Sequence, residues 1–420
     1  MTLDPKTFLT AIFEAAVAAA QPERVIRNFL PDKPKGRTVV VGAGKGAAQL
    51  AAALEKAWDG PLEGVVVTRY GYGAPTTRIH VLEAAHPVPD PAGLAASQVL
   101  LDCVAGLTKD DLVIALVCGG GSALLPSPPP GLTLADEVAV NEALLASGAP
   151  IAAMNAVRKH ASTIKGGRLA LAAHPARVVS LVVSDIPGDN PALVASGPTI
   201  PDASTRADAL GIVEAYRIKL PAAVKGHLAT AAADAPGPDD ARFAGNQVHL
   251  IASAAVSLEA AAAAAAQTGV RAVILSDAIE GEAREVGSVH AAIAREVATR
   301  NRPFERPVLI LSGGETTVTL RGKGKGGRNS EFLLSFALGI EGFHNIHALA
   351  ADTDGIDGSE DNAGAFADGS SIARMRTAGI DAKARLAQND AWTAFDAVND
   401  LFVPGPTGTN VNDLRAILVT

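Results

Sequence analysis

Short apolar runs recur along this chain, each followed by a turn marked with glycine or proline and then by a stretch of helical periodicity. The runs that read as strands are Thr38–Val41, Gly64–Thr68, Ile79–Glu83, Leu112–Val117 and Val178–Val183. A second series follows at Val248–Ile251, Ala272–Leu275, Val308–Leu311, Thr316–Leu320 and Ile346–Ala350. Strands alternating with helices predict an α/β fold of mainly parallel sheets covered on both faces. Between the two series lies "TAAADAPGPDDARFAGNQ", rich in Pro, Gly and Asp, which reads as a junction near residue 240. With 420 residues, too many for one ordinary core, the expectation is two α/β domains, 1–240 and 241–420. The segment "MTLDPKTFLTAIFEAAVAAA" reads as an amphipathic first helix, which could pack on the second domain.

Charge and composition narrow the function classes. A net charge of -8 argues against a broad nucleic-acid surface or binding to an anionic membrane, so any anionic ligand must be held by local groups. The first helix lacks the cationic start of a signal peptide. The alanine-rich Ala252–Val270 is interrupted by Glu259 and is too weakly apolar for a span, which needs roughly 20 strongly apolar residues. It is expected to be a helix packed on a sheet, in a soluble, cytoplasmic protein. Cys103 and Cys118 sit in apolar segments and read as buried thiols; no disulfide framework or Cys/His metal site is visible.

Ligands of open α/β sheets collect beyond the carboxyl ends of strands, and the unusual residues of this chain fall there. After the first strand, Gly42, Gly44 and Ala47 fit the relaxed dinucleotide pattern G-x-G-x-x-A, with Lys45 in the turn facing any anion at the helix N-terminus. After Leu112–Val117 come Gly119, Gly120, Gly121 and Ser122; a tight turn needs only one glycine, and three leave backbone N–H groups open to a phosphate or carboxylate. Asp185 and Asp189 follow the next strand around a Pro-Gly turn and suit either Mg²⁺ or a general base. In the second half, Gly314 and Glu315 lie between two strands. A basic glycine loop with Lys323, Lys325, Gly326, Gly327 and Arg328 then enters a helix capped by Asn329 or Ser330. Asp352, Asp354 and Asp357 form an acidic cluster suited to Mg²⁺ on phosphates, without the Gly and Glu positions of a calcium loop. Asn155, Arg158 and Ser162 share one helical face and suit a small carboxylated substrate. His86, in "HPVPD", is most simply part of a stiff turn.

Hydride and phosphoryl transfer can both be read from the first turn. A dinucleotide enzyme should carry an acid at the end of its second strand, where Thr68 and Arg69 stand instead, which disfavours NAD. Two aspartate clusters and a basic loop serve a kinase better: donors for triphosphate oxygens, a metal site, a cation and a carboxylate. Neither a Walker A sequence nor the protein-kinase motifs occur. The residues point to an unusual small-molecule kinase.

In order, "VVGAGKGA", "HPVPD", "CGGGSALL", "NAVRKHASTIKGGRLA", "SDIPGDNPALVASGPT", "SGGETTVTLRGKGKGGRNSEF", "ADTDGIDG" and "TGTNVNDL" resemble the glycerate 2-kinase family, whose members carry a C-terminal MOFRL domain. The resemblance spans nearly the whole chain. It implies a Rossmann-like first domain, an active site in the cleft between domains, and phosphorylation of D-glycerate at its 2-hydroxyl with ATP and Mg²⁺. By that resemblance Lys45 and Arg328 stabilise the transferring phosphoryl group, while Glu315, Asp354 and Asn410 line the site from the second domain. Asp185 is a catalytic candidate; Asp189 and Asp352 are metal candidates. Ser122, Asn155 and Arg158, with Asn410, would position the substrate. Gly42, Gly44, Gly119, Gly120, Gly121, Gly314, Lys325, Gly326 and Gly327 would cradle phosphates. The partner is a small molecule, neither nucleic acid nor membrane, and a homodimer is one option for assembly. Similar sequences also carry the label hydroxypyruvate reductase, often in tartrate-degradation contexts, so an NAD(P)H-dependent reductase is the alternative. A non-catalytic sugar-acid or nucleotide-binding module is the third reading.

Overall fold

The computed structural model describes residues 4–186 and 188–420. In chain order its strands are β1 (Thr38–Ala43), β2 (Glu63–Arg69), β3 (Ile79–Ala84), β4 (Leu112–Val117), β5 (Arg177–Val183), β6 (Gln247–Ala252) and β7 (Arg271–Ile274). They continue with β8 (Gly281–Glu282), β9 (Val308–Gly314), β10 (Thr316–Thr317), β11 (Ile346–Asp352), β12 (Gly364–Asp368), β13 (Leu401–Phe402) and β14 (Asp413–Val419). The chain is α/β as expected, in two compact units: Pro22–Ile251, and Ala252–Thr420 joined by the first helix.

The unit Pro22–Ile251 carries a six-stranded sheet in the order β3-β2-β1-β4-β5-β6. Strands β1 to β5 pair in parallel. β1 and β4 are buried along their whole length, which is why they read as unbroken apolar runs rather than alternating ones. Strand order reverses between β1 and β4, and the loops after these strands border the crevice where such sheets bind ligands. β6 had been expected in the second sheet, but it is an edge strand of the first. The polar stretch before it folds onto this unit: two short 3₁₀ turns, Ala231–Ala233 and Ala241–Phe243, bury Ala233 and Phe243. This unit therefore runs to Ile251, past the junction expected near residue 240.

The other unit carries a six-stranded sheet in the order β13-β12-β11-β14-β9-β7. Here the expectation of parallel pairing holds only for β7 with β9; the other four pairings are antiparallel. Two of these come from β14, the last strand, which enters between β11 and β9 and runs against both, and two from β12, which runs against β11 and β13. The strand expected over Thr316–Leu320 shrinks to β10, paired with β8, and Leu320 is largely exposed. Asp4 caps the first helix (Pro5–Ala19) by accepting from Thr7 N at 3.0 Å, with proline at its first position. Its face Phe8, Leu9, Ile12, Phe13, Ala16 and Val17 is buried in one cluster with Leu258, Ala261 and Ala265 of the alanine-rich helix Ala254–Gln267. Small side chains let the two helices approach until Ser257 Oγ donates to Ala16 O at 2.9 Å. Among the described residues no helix is long and apolar enough to cross a membrane.

Candidate active site

In the unit Pro22–Ile251 the chemistry gathers on the Gly119–Gly121 turn after β4. Lys45 N donates to Gly119 O at 2.8 Å, tying the turn after β1 to the turn after β4. A methyl group at Gly119 would overlap the Asp185 carboxylate, so Asp185 lies directly on that backbone. A methyl at Gly120 would fall 3.1 Å from Lys45 Cγ and 3.1 Å from His86 Nε2. Gly120 is also left-handed, with φ +80°, a conformation that costs glycine little. Beneath this turn burial pushes the Cys118 thiol up to about 12, which leaves it inert, as expected for a buried cysteine. Lys45, Asp185 and the Gly119–Gly121 backbone are therefore brought together, and His86 joins them.

Ser122, Asn155 and Arg158 also meet, through a residue that only accompanied them in the sequence. Ser122 Oγ lies 2.8 Å from Ser196 Oγ, and Ser196 Oγ donates to Asn155 Oδ1 at 3.0 Å. The same Asn155 oxygen accepts from an Arg158 terminal nitrogen at 3.0 Å, while Asn155 Nδ2 donates to Leu193 O at 2.9 Å. Arg158 Nε is held by Asn141 Oδ1 at 2.8 Å. Ala195, Ser196 and Gly197 are consecutively left-handed (φ 52°, 59° and 57°), a costly run that this hydrogen-bonded chain over-determines. Asp189 is left-handed too (φ 52°) and half-buried.

Gly42 and Gly44 are required by packing. Any side chain at Gly42 would overlap Leu116 O, and any at Gly44 would overlap Cys118; Gly44 N is already bonded to Val67 O at 3.1 Å. They let β1 lie against β4.

In the other unit the centre is Arg328, the first residue of the helix Arg328–Gly339. Its Nε donates to Asp413 Oδ1 at 2.8 Å, one terminal nitrogen to Asp352 Oδ2 at 2.6 Å and the other to Glu315 Oε1 at 3.0 Å. Asp413 and Asp352 are buried, whereas the Glu315 side chain is half exposed. These carboxylates hold the Arg328 pKa well above its usual value despite burial. Burial and the neighbouring Asp413 raise Asp352, with Arg328 opposing them. Arg415, fully buried, takes the other Asp413 oxygen at 2.7 Å and donates to Gly313 O at 3.1 Å.

The acidic cluster is divided among protein partners: Asp352 is bound by Arg328, Asp354 Oδ1 accepts from Ile356 N at 2.9 Å, and Asp357 accepts from Asn329 N and Ser330 N. Among the described residues no group of three or more His, Cys, Asp or Glu is placed to hold a metal ion. Asp357 caps the helix by accepting from Asn329 N and Ser330 N, Ser330 Oγ accepts from Gly327 N, and burial raises the Asp357 carboxyl. The basic loop also turns its amides inward: Lys325 N bonds Asp390 Oδ1 at 3.0 Å and Gly327 N bonds Ser330 Oγ at 2.9 Å. Gly326 (φ +137°) and Gly327 pack on Trp392 and Asp357, and Gly314 (φ +110°) on Ile279, so their lack of a side chain serves close approach. Asn410 Oδ1 accepts from Asn412 N at 3.0 Å in its own turn. Sequence reasoning missed Asp413 and Arg415; their signal was charge inside an apolar run, "NDLRAILV".

Residues 8–229 match the model of a domain of unknown function, DUF4147, and residues 308–413 match the MOFRL family. A protein of Thermotoga maritima named D-glycerate 2-kinase is 38% identical, over 97% of both chains. A crystal structure of a glycerate kinase from the same organism matches with a TM-score of 0.91 at 37% identity, covering 99% of both chains. An Agrobacterium vitis protein named "Putative hydroxypyruvate reductase" is 53% identical over 98% of this chain and 94% of its own.

Proposed function

The chain belongs to the glycerate 2-kinase family, and from that premise we propose that it transfers the γ-phosphoryl group of ATP to the 2-hydroxyl of D-glycerate. The observation that carries this reading is the convergence of Lys45 and Asp185 on adjacent glycines, Gly119 and Gly120. In the reaction the 2-hydroxyl oxygen bonds the γ-phosphorus, the bond to the ADP leaving oxygen breaks, and Asp185 receives the hydroxyl proton. Lys45 offsets charge on the transferring group, as cations do in phosphoryl transfer generally. In the other unit Arg328 is the candidate for phosphate charge; Glu315, its exposed partner, is the one that can yield a nitrogen to a phosphate oxygen. Ser122 and Arg158, fixed through Ser196 and Asn155, hold the hydroxy acid.

Mg²⁺ that arrives on a nucleotide needs only one or two protein carboxylates, since waters and phosphates complete its shell. Asp189 fits that requirement; Asp352 is engaged by Arg328. Bound there, the ion would neutralise phosphate charge.

The Agrobacterium vitis similarity favours a second reading, an NAD(P)H-dependent hydroxypyruvate reductase. Two observations weigh against it. The glycines of the first turn are used by the sheet, and Asp90 bonds Tyr70 and Gly93 N rather than the strand-end His86. Incubation with D-glycerate, ATP and Mg²⁺ followed by ³¹P NMR tests the proposal: a 2-phosphoglycerate signal supports it, and a 3-phosphoglycerate signal or none refutes the assigned position.

A further inference from the structure

The carboxyl edge of the first sheet carries one polar ring without a role. His86 follows β3, Arg69 ends β2, Lys45 follows β1 and Gly120 follows β4, and those four strands are neighbours in the sheet in that order. The imidazole is half-buried, and its Nε2 faces the space that a side chain at Gly120 would fill, beside the Lys45 stem. Among the described residues the ring has no hydrogen-bond partner; Asp90, four residues on, is engaged by Tyr70 Oη at 2.7 Å and by Gly93 N at 2.9 Å. The ring nitrogens are thus open to a ligand group that enters the space beside Gly120.

The charge state defines what kind of ligand group fits. Burial, with Lys45 and Arg69 adding repulsion, pushes His86 down to about 4, so the ring is neutral at working pH. A neutral imidazole offers one donor and one acceptor. Beside two cations it is poorly suited to hold the charged end of an anion, which Lys45 and Arg69 take more strongly. It suits an uncharged polar group on the same small anion. A hydroxy acid has that composition, with a carboxylate and a hydroxyl one or two bonds apart.

We propose that His86 reads the acceptor substrate: its ring hydrogen-bonds a hydroxyl of the hydroxy acid, on the side of the ring away from the phosphoryl group that Lys45 faces. This rests on the glycerate kinase reading and adds to it a specificity-determining residue. The absence of a side chain at Gly120 then has a second consequence, since it keeps open the space between His86 and Lys45.

The test uses the full chain with His86→Ala and His86→Gln, the second retaining one donor and one acceptor. The expected result is a rise of about tenfold or more in KM for D-glycerate with Ala, the scale of one hydrogen bond. Gln should recover most of it, and KM for ATP should stay unchanged in both. In the unaltered chain the ¹⁵N imidazole signals of His86 should report a neutral ring from pH 6 to 8 and move on adding D-glycerate without nucleotide. An unchanged glycerate KM in His86→Ala, or no shift of those signals at saturating D-glycerate, would overturn the inference. Failure of the kinase reading looks different: the unaltered chain would then form no phosphoglycerate at all.

Discussion

Arg328 and Arg415 grip opposite oxygens of one buried carboxylate, Asp413, at 2.8 and 2.7 Å. This shared anion makes Arg328 rigid on one side, while Glu315 leaves it movable on the other. Arg328 has Asp352 and Glu315 as further partners, which leaves Asp413 to balance Arg415 and explains why the strand β14 tolerates an arginine with no exposure.

Replacing Asp413 with asparagine should therefore act on stability first. It leaves Arg415 buried without its counter-ion, at a cost of about 3–5 kcal/mol. Chemical denaturation should show the loss, and a variant within 1 kcal/mol of the parent chain would remove Asp413 from this role.

Lys45→Met and Arg328→Lys should act on turnover instead. Each removes a fixed donor from the transferring phosphoryl group, and loss of such a donor lowers kcat by roughly 10²-fold or more. Circular dichroism should show the fold intact in Lys45→Met. Near-parental kcat in both would take these residues out of the mechanism.

Gly119→Ala is the sharpest steric probe, because its methyl group would overlap the Asp185 carboxylate. Displacing a catalytic group by about 1 Å can cost roughly 10²-fold. A kcat loss of that order at nearly unchanged Tm is expected; an active Gly119→Ala enzyme would mean that Asp185 need not lie where it does.

Asn155→Ala should raise KM for D-glycerate with less effect on kcat. The change removes the acceptor that both Ser196 and Arg158 use, so Ser122 and Arg158 lose their common anchor. A kcat effect larger than the KM effect would reassign this chain of residues to the chemical step.

Stability should also fall on acidification through a buried histidine. His290 is buried, with Nδ1 2.8 Å from Val286 O and Nε2 3.1 Å from Ser312 Oγ, and burial lowers it from 6.5 to about 4. The unfolded chain takes up this proton near pH 6.5 and the folded chain does not. The contribution is therefore complete above pH 6.5 and is lost as pH falls toward 4, by about 3 kcal/mol. Denaturant midpoints for the parent and His290→Gln should converge over that range; parallel pH profiles would contradict it.

The first sheet was legible because parallel strands buried on both faces leave unbroken apolar runs, and the residues after them stand out. Asn155 and Arg158 were legible from helical spacing alone. The second sheet was not. β12 and β13 are short, and β14 carries Asp413 and Arg415, whose charges disguise a central strand. The glycines were ambiguous in a different way: Gly42 and Gly44 match a cofactor pattern, and only the neighbouring strand shows that both are also needed for β1 to lie against β4. The aspartates after β11 likewise looked like one cluster, and only the fold divides Asp352, Asp354 and Asp357 among a guanidinium, a turn and a helix end.

The most direct measurement is a paired turnover assay on the purified chain. One arm contains D-glycerate, ATP and Mg²⁺, with the product identified; the other contains hydroxypyruvate with NADH or NADPH. The account predicts metal-dependent 2-phosphoglycerate in the first arm and no nicotinamide oxidation in the second. Oxidation of NADH or NADPH without any phosphorylated product would contradict it.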